Sequence, residues 1–156
     1  MILNYLINKK VGEYTMNTGK TINEIEIGEE ASFTKTVSEA DVYNYAGVTG
    51  DFNPAHINES FAKKTMFGGR IAHGMLSAGF ISTVLGTKLP GPGCIYVSQD
   101  LKFTAPVHFG DTITAKVKVI NKNVEKNRVE LETECINQKD DTVIKGKAVL
   151  MPRVEE

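Results

Sequence analysis

The sequence predicts an α+β fold, an antiparallel sheet wrapped around one long buried helix, and three observations predict it. Four segments in the second half of the chain alternate apolar and polar residues with the two-residue period of strands. The connections between them are short and rich in turn residues, which makes neighbouring strands antiparallel. Immediately before them, Ile71 to Thr87 carries no Asp, Glu, Lys or Arg.

The elements follow in order. Met1 to Leu6 are apolar, but Lys9 and Lys10 follow this short run, the reverse of the order in a signal peptide. Met16 precedes a Thr/Asn/Gly-rich stretch, so residues 1–16 are expected to be a loosely ordered extension and residues 17–156 one domain. Ala31–Val37 reads as a strand with Phe33 and Val37 inward. Ser38 suits an N-cap, with Glu39 and Asp41 in the first turn of a helix through Ala46. Asn58 is placed to cap a second, Glu59–Met66, with Phe61 and Ala62 inward.

The uncharged stretch from Ile71 is short for a membrane span, and His73, Ser77, Ser82, Thr83 and three glycines argue against lipid. A helix apolar on every side is expected to be buried on every side. Gly74, Gly79 and Gly86 would let a sheet approach its backbone closely.

After it come Ile95–Phe103, then Ile113, Ala115, Val117 and Val119 against Thr and Lys, then Val129, Leu131, Thr133 and Cys135 against Arg and Glu. The last, near Thr142–Met151, is apolar at Ile144, Ala148 and Leu150. Breaks fall at Phe109–Asp111, Asn121–Asn127 and Gln138–Asp141. One face of the sheet should be buried and the other, glutamate-rich along Arg128–Ile136, wet.

Among 156 residues 41% are hydrophobic, enough for a core, and the formal net charge of −1 gives no overall attraction to nucleic acid or anionic lipid. Neither partner is expected. Cys94 and Cys135 lie far apart without CxxC spacing, which fits neither a disulfide framework nor a zinc site. They read as free thiols in a reducing compartment, so a cytoplasmic location is expected, without metal or cofactor. A single curled sheet leaves edges and a face to hide, so a homodimer or higher homo-oligomer is expected.

The stretch Gly50-Asp51-Phe52-Asn53-Pro54-Ala55-His56 holds a carboxylate and an imidazole five residues apart, read as lying outside any regular helix. Pro54 drives Asn53 to an extended conformation, and the Asn53 side chain can bond neighbouring amides, so a rigid turn should bring both groups to one point. Such a pair can hold a water, remove its proton and return a proton to carbon, if burial tunes both groups. A substrate carbonyl that gathers negative charge also needs donors for its oxygen, and amides at a helix N-terminus supply them. Gly74 begins the buried helix, and its missing side chain would admit a carbonyl oxygen. Singly, each residue has an ordinary structural reading: Asp51 and His56 as turn residues, Gly74 as a packing glycine, His73 as a helix-start residue facing solvent or the loop.

Together, Asp51-Phe52-Asn53-Pro54-Ala55-His56, Phe61-Ala62 and Arg70-Ile71-Ala72-His73-Gly74-Met75 resemble the signature of the R-specific enoyl-CoA hydratases, the MaoC-like dehydratases. The resemblance runs from about Gly28 to Met151 and implies a hot-dog fold, usually paired into a larger continuous sheet. It also implies reversible hydration of a trans-2-enoyl-CoA to the (R)-3-hydroxyacyl-CoA. The catalytic pair falls on Asp51 and His56, the oxyanion-binding amide on Gly74, and supporting roles on Asn53, Ser82 and His73. Ala55 is smaller than the residue common there, and Gly68-Gly69 loosens the loop before the helix. Three rivals share the fold: a dehydratase acting on an acyl-carrier-protein thioester, an acyl thioesterase, and an acyl-CoA-binding module without turnover.

Overall fold

The computed structural model describes residues 18–154; the extension expected over residues 1–16 lies outside the described residues. Strand β1 (Glu30–Thr36) leads through helices α1 (Glu39–Thr49), α2 (Pro54–Ile57) and α3 (Glu59–Ala62) to the long helix α4 (Gly74–Thr87). Strands β2 (Ile95–Phe103), β3 (Thr112–Asn123), β4 (Arg128–Ile136) and β5 (Thr142–Met151) follow. They form one five-stranded sheet in the order β1-β3-β4-β5-β2, antiparallel throughout.

The sheet curls over α4, which packs on β1, β2, β3 and β4. Ile81, Val84 and Leu85 of the helix and Ile113, Val117, Leu131, Ile144 and Leu150 of the sheet are each at most 1% exposed. Burying each of these side chains contributes roughly 1.5–3 kcal/mol before the entropy of ordering it is subtracted. On the outward face one row reads Glu30, Lys118, Glu132, Lys147, Asp100 across all five strands, alternating in charge at every step. Such opposite-charge neighbours fix the register and keep that face wet.

Five expectations are corrected. Helix α4 is buried on one side only: Met75, Gly79, Ser82 and Gly86, spaced at helical intervals, form an exposed stripe, because the sheet curls round the opposite side. Strand β2 is not half-buried either. Among the described residues it is an edge strand paired only with β5, and Ile95, Val97 and Phe103 are 57%, 47% and 49% exposed. Helix α3 stops at Ala62 rather than Met66, because Lys64 N–H and Thr65 N–H turn to the carbonyls of Phe61 and Ala62, three residues back. Ala62 is buried as expected, but Phe61 is 47% exposed. Helix α1 runs past Ala46 to Thr49, carrying Gly47 inside it, and ends only at Gly50, whose φ of 79° leaves the helix. Among the described residues, no helix is long and apolar enough to cross a membrane.

Candidate active site

Three chain segments build the site, each fixed by local rules. Helix α1 starts on a capping box, in which Ser38 Oγ accepts from Asp41 N–H while the Asp41 carboxylate accepts from Ser38 N–H at 2.9 Å. It ends at Gly50, whose φ of 79° few side chains tolerate, with Gly50 N–H bonded back to Ala46 O. That turn delivers Asp51. Its Oδ1 accepts from Asn53 N–H at 3.2 Å, and Asn53 Oδ1 in turn accepts from Ala55 N–H at 3.0 Å. With Pro54 at the first position, Asn53 caps the single turn α2. His56 therefore stands on a short helix, not outside regular structure, because an Asn cap followed by Pro nucleates one.

A reciprocal strap holds α2 to the segment before α4. Ile71 N–H donates to Ala55 O at 3.2 Å, and His56 Nδ1 lies 2.8 Å from Ile71 O. A carbonyl only accepts, so Nδ1 carries the proton and the Nε2 lone pair is left for chemistry. Arg70 pins the same segment. Its guanidinium reaches Glu39 Oε1 at 2.6 Å, Tyr43 Oη at 2.9 Å and Glu59 Oε2 at 3.3 Å, and lies over the Phe109 ring.

His73, at the N-cap of α4, points to the loop rather than to solvent and is 2% exposed. Its Nε2–H donates to Asp51 O at 2.9 Å, and its ring stacks on His56 at 3.8 Å. Asp51, His56 and His73 each bring one ligand-type atom within 4.8 Å of the others. That spacing would suit a small cation, but the two rings lie face to face with their planes tilted by 35°, and one nitrogen of each is already committed to a backbone carbonyl. The set fits proton transfer better. The Asp51 side chain is 52% exposed in the single chain.

Beside this trio a cavity of about 470 Å³ opens between α4 and the sheet, lined by His56, Ile71, Gly74, Ser77, Phe103 and Ile144 among others. The N–H of Gly74, the first residue of α4, has no intrahelical acceptor. A Cβ on Gly74 would meet the Phe103 ring at 2.7 Å, so the glycine also makes room for an aromatic wall. Ser82 is not brought to the trio in this chain. It lines a second recess of about 420 Å³ on the outer side of α4 with Gly79, Tyr96 and Gln99, and Met75 and Phe103 are common to both. A wider recess of about 950 Å³ on the sheet is bordered by paired Lys and Glu residues and lies away from the trio.

Cys135 lies under the site, with its thiol donating to Ser77 O at 3.5 Å, and burial pushes it up to about 12. It is a packing thiol, as expected from sequence, and Cys94 is half-buried and also free. Phe103, Ser77 and the Arg70 clamp escaped the sequence reading. The one available signal was the three-residue spacing of Gly74 and Ser77, which puts them on one helix face.

The description "MaoC like domain" matches residues 22–140. The chain belongs to the MaoC-like family. Within this family it is 56% identical over 128 residues to an (R)-specific enoyl-CoA hydratase of Rhodospirillum rubrum, covering 82% of this chain and 88% of that one. It is 46% identical to a 3-hydroxybutyryl-CoA dehydratase of Methylorubrum extorquens, covering 85% of each. The unliganded R-hydratase of Pseudomonas aeruginosa superposes with a TM-score of 0.83 at 42% identity, covering 88% of both chains. The MaoC-like chain has the hot-dog fold of these hydratases, as its sequence predicted.

Proposed function

We propose that the protein is a hydro-lyase that reversibly hydrates a trans-2-enoyl-CoA to the (R)-3-hydroxyacyl-CoA. The observation that carries this is the clustering of Asp51 and His56, with His56 and the first helical residue Gly74 both lining one apolar cavity. Asp51 and His56 hold one water, whose oxygen adds to C3 as its proton passes to the pair. The electron pair of the double bond moves onto the thioester oxygen at the Gly74 amide, and C2 then takes a proton from the pair. Asn53 sets the loop, and His73 fixes Asp51 through its backbone carbonyl. The R configuration follows the named relatives. Coenzyme A is the carrier in this reading, because both relatives named above are described as acting on CoA thioesters.

The site is completed by a second copy of the chain. The exposed stripe of α4 with Met75, the β2 edge and the half-exposed Asp51 are the surfaces that a symmetric partner would cover. The two free thiols suit a reducing cytoplasm.

The test is hydration of crotonyl-CoA by wild type and by Asp51→Asn and His56→Ala variants shown to fold. Each variant should lose about 10²–10⁴-fold in kcat/KM. Near-wild-type rates in both would overturn the assignment. Parallel assays with carrier-protein thioesters and with free-thiol detection separate the dehydratase and thioesterase rivals.

A further inference from the structure

We propose that Ser77 is a further catalytic residue, whose hydroxyl is a second donor, beside the Gly74 amide, for the thioester oxygen of the bound acyl group. The inference rests on the hydratase reading above and adds a residue to it. Ser77 is 0% exposed, yet its Oγ has no hydrogen-bond partner among the described residues. Buried hydroxyls are nearly always paired, so an orphan calls for a partner that the protein itself does not supply.

The same helix shows that the orphan is not forced. A helical Ser or Thr can return its hydroxyl to the carbonyl four residues back. Thr83 does so to Gly79 O at 3.1 Å and Thr87 to Thr83 O at 2.6 Å, whereas Ser77 leaves His73 O alone. Side chains on a helix lean towards its N-terminus, and positions three apart share a face, so Ser77 leans over Gly74. Gly74 offers no Cβ to fill the interval, and both residues line the cavity that His56 borders. The backbone of Ser77 is meanwhile tied to β4, its carbonyl accepting the Cys135 thiol. An acyl oxygen bonded to the Gly74 amide would lie within one helical turn of this unpaired donor.

During hydration the electron pair displaced from the double bond gathers on that oxygen. A donor aimed there is worth more in the transition state than in the ground state, so its loss acts on kcat. The experiment is steady-state hydration of crotonyl-CoA by Ser77→Ala and Ser77→Cys, with melting temperatures recorded alongside. Ser77→Ala should lower kcat by about 10–100-fold with KM within about three-fold. Its melting temperature should not fall, since the change removes an unpaired polar group. Ser77→Cys, similar in shape but a weak donor, should lie between, and it carries the test if the alanine variant does not fold. In an Asp51→Asn background, where turnover is slowed, the absorbance maximum of bound hexadienoyl-CoA should move to the blue when Ser77→Ala is added, because one donor to the thioester carbonyl is lost. Retention of kcat within about two-fold, or a change confined to chain-length preference, overturns the role of Ser77 while leaving the hydratase reading intact. Absence of hydration by wild type across C4 to C12 enoyl-CoA overturns the reading itself.

Discussion

On β3, β4 and β5 the inward apolar residues are closed off in the core, while on β2 and at Met75 on the outer stripe of α4 residues of the same kind stand in solvent. Val117 and Leu131 are 1% and 0% exposed, whereas Val97 and Met75 are 47% and 54% exposed. The sequence alternates equally well in both regions. Periodicity therefore tells which face of a strand is apolar, but not whether the cover comes from the same chain.

The largest effect that could break this contrast lies in the closed region. Leu131→Ala should cost about 2–5 kcal/mol, because the side chain is fully buried against α4 and the site cannot collapse freely. Denaturant unfolding measures it. A loss below about 1 kcal/mol would mean that the inner face is less tightly packed than its burial indicates.

Gly74→Ala probes the seam between the two regions. The added methyl would stand 2.7 Å from the Phe103 ring, and Phe103 is itself half-exposed and able to swing. Overpacking should cost about 1–3 kcal/mol, with a fall in kcat as the ring or the helix end shifts. Unchanged stability together with unchanged kcat would show that the ring yields without disturbing the amide.

Legibility followed the same divide. Strands β3, β4 and β5 and the start of α4 could be read because local pattern and burial in the core agree. The turn from Gly50 to His56 could be read because Gly, Asn and Pro act on their own neighbours. The outer stripe could not, since nothing in Met75, Gly79 and Ser82 says that the sheet stops short of them. Nor could the protonation of His56, fixed by a carbonyl fifteen residues away, or the wall formed by Phe103 against Gly74. Those depend on tertiary placement alone.

A smaller effect belongs to local chemistry, independent of either face. The Lys35 ammonium at 2.7 Å, followed by the Ser38 amide and hydroxyl, holds the Asp41 carboxyl down at about 2, below its ordinary 3.8. A depressed carboxylate stabilises the fold above its unfolded value, and this contribution is lost as pH falls from about 3.8 to about 2. Asp41→Asn should cost about 1 kcal/mol near neutrality, the worth of a good cap. Melting curves of the two proteins should converge across that acid window. Parallel curves at every pH would mean that the capping box contributes nothing electrostatic.

The smallest expected change in the chain's own stability carries the most information about the open region. Val97 lies at the irregularity of β2, between Tyr96 and Ser98, on a strand whose other edge is free. In the isolated chain Val97→Lys exchanges one exposed residue for another, so it should alter the stability of the dilute protein by no more than about 0.5 kcal/mol. A lysine on an edge strand opposes pairing with another edge. If a second copy covers this face, wild-type melting temperature rises with protein concentration and the variant's does not, because only the wild type gains the linkage term of association. Light scattering should give twice the chain mass for wild type and less for the variant. A wild type that remains single at every concentration would leave the stripe uncovered, and with it the half-exposed Asp51.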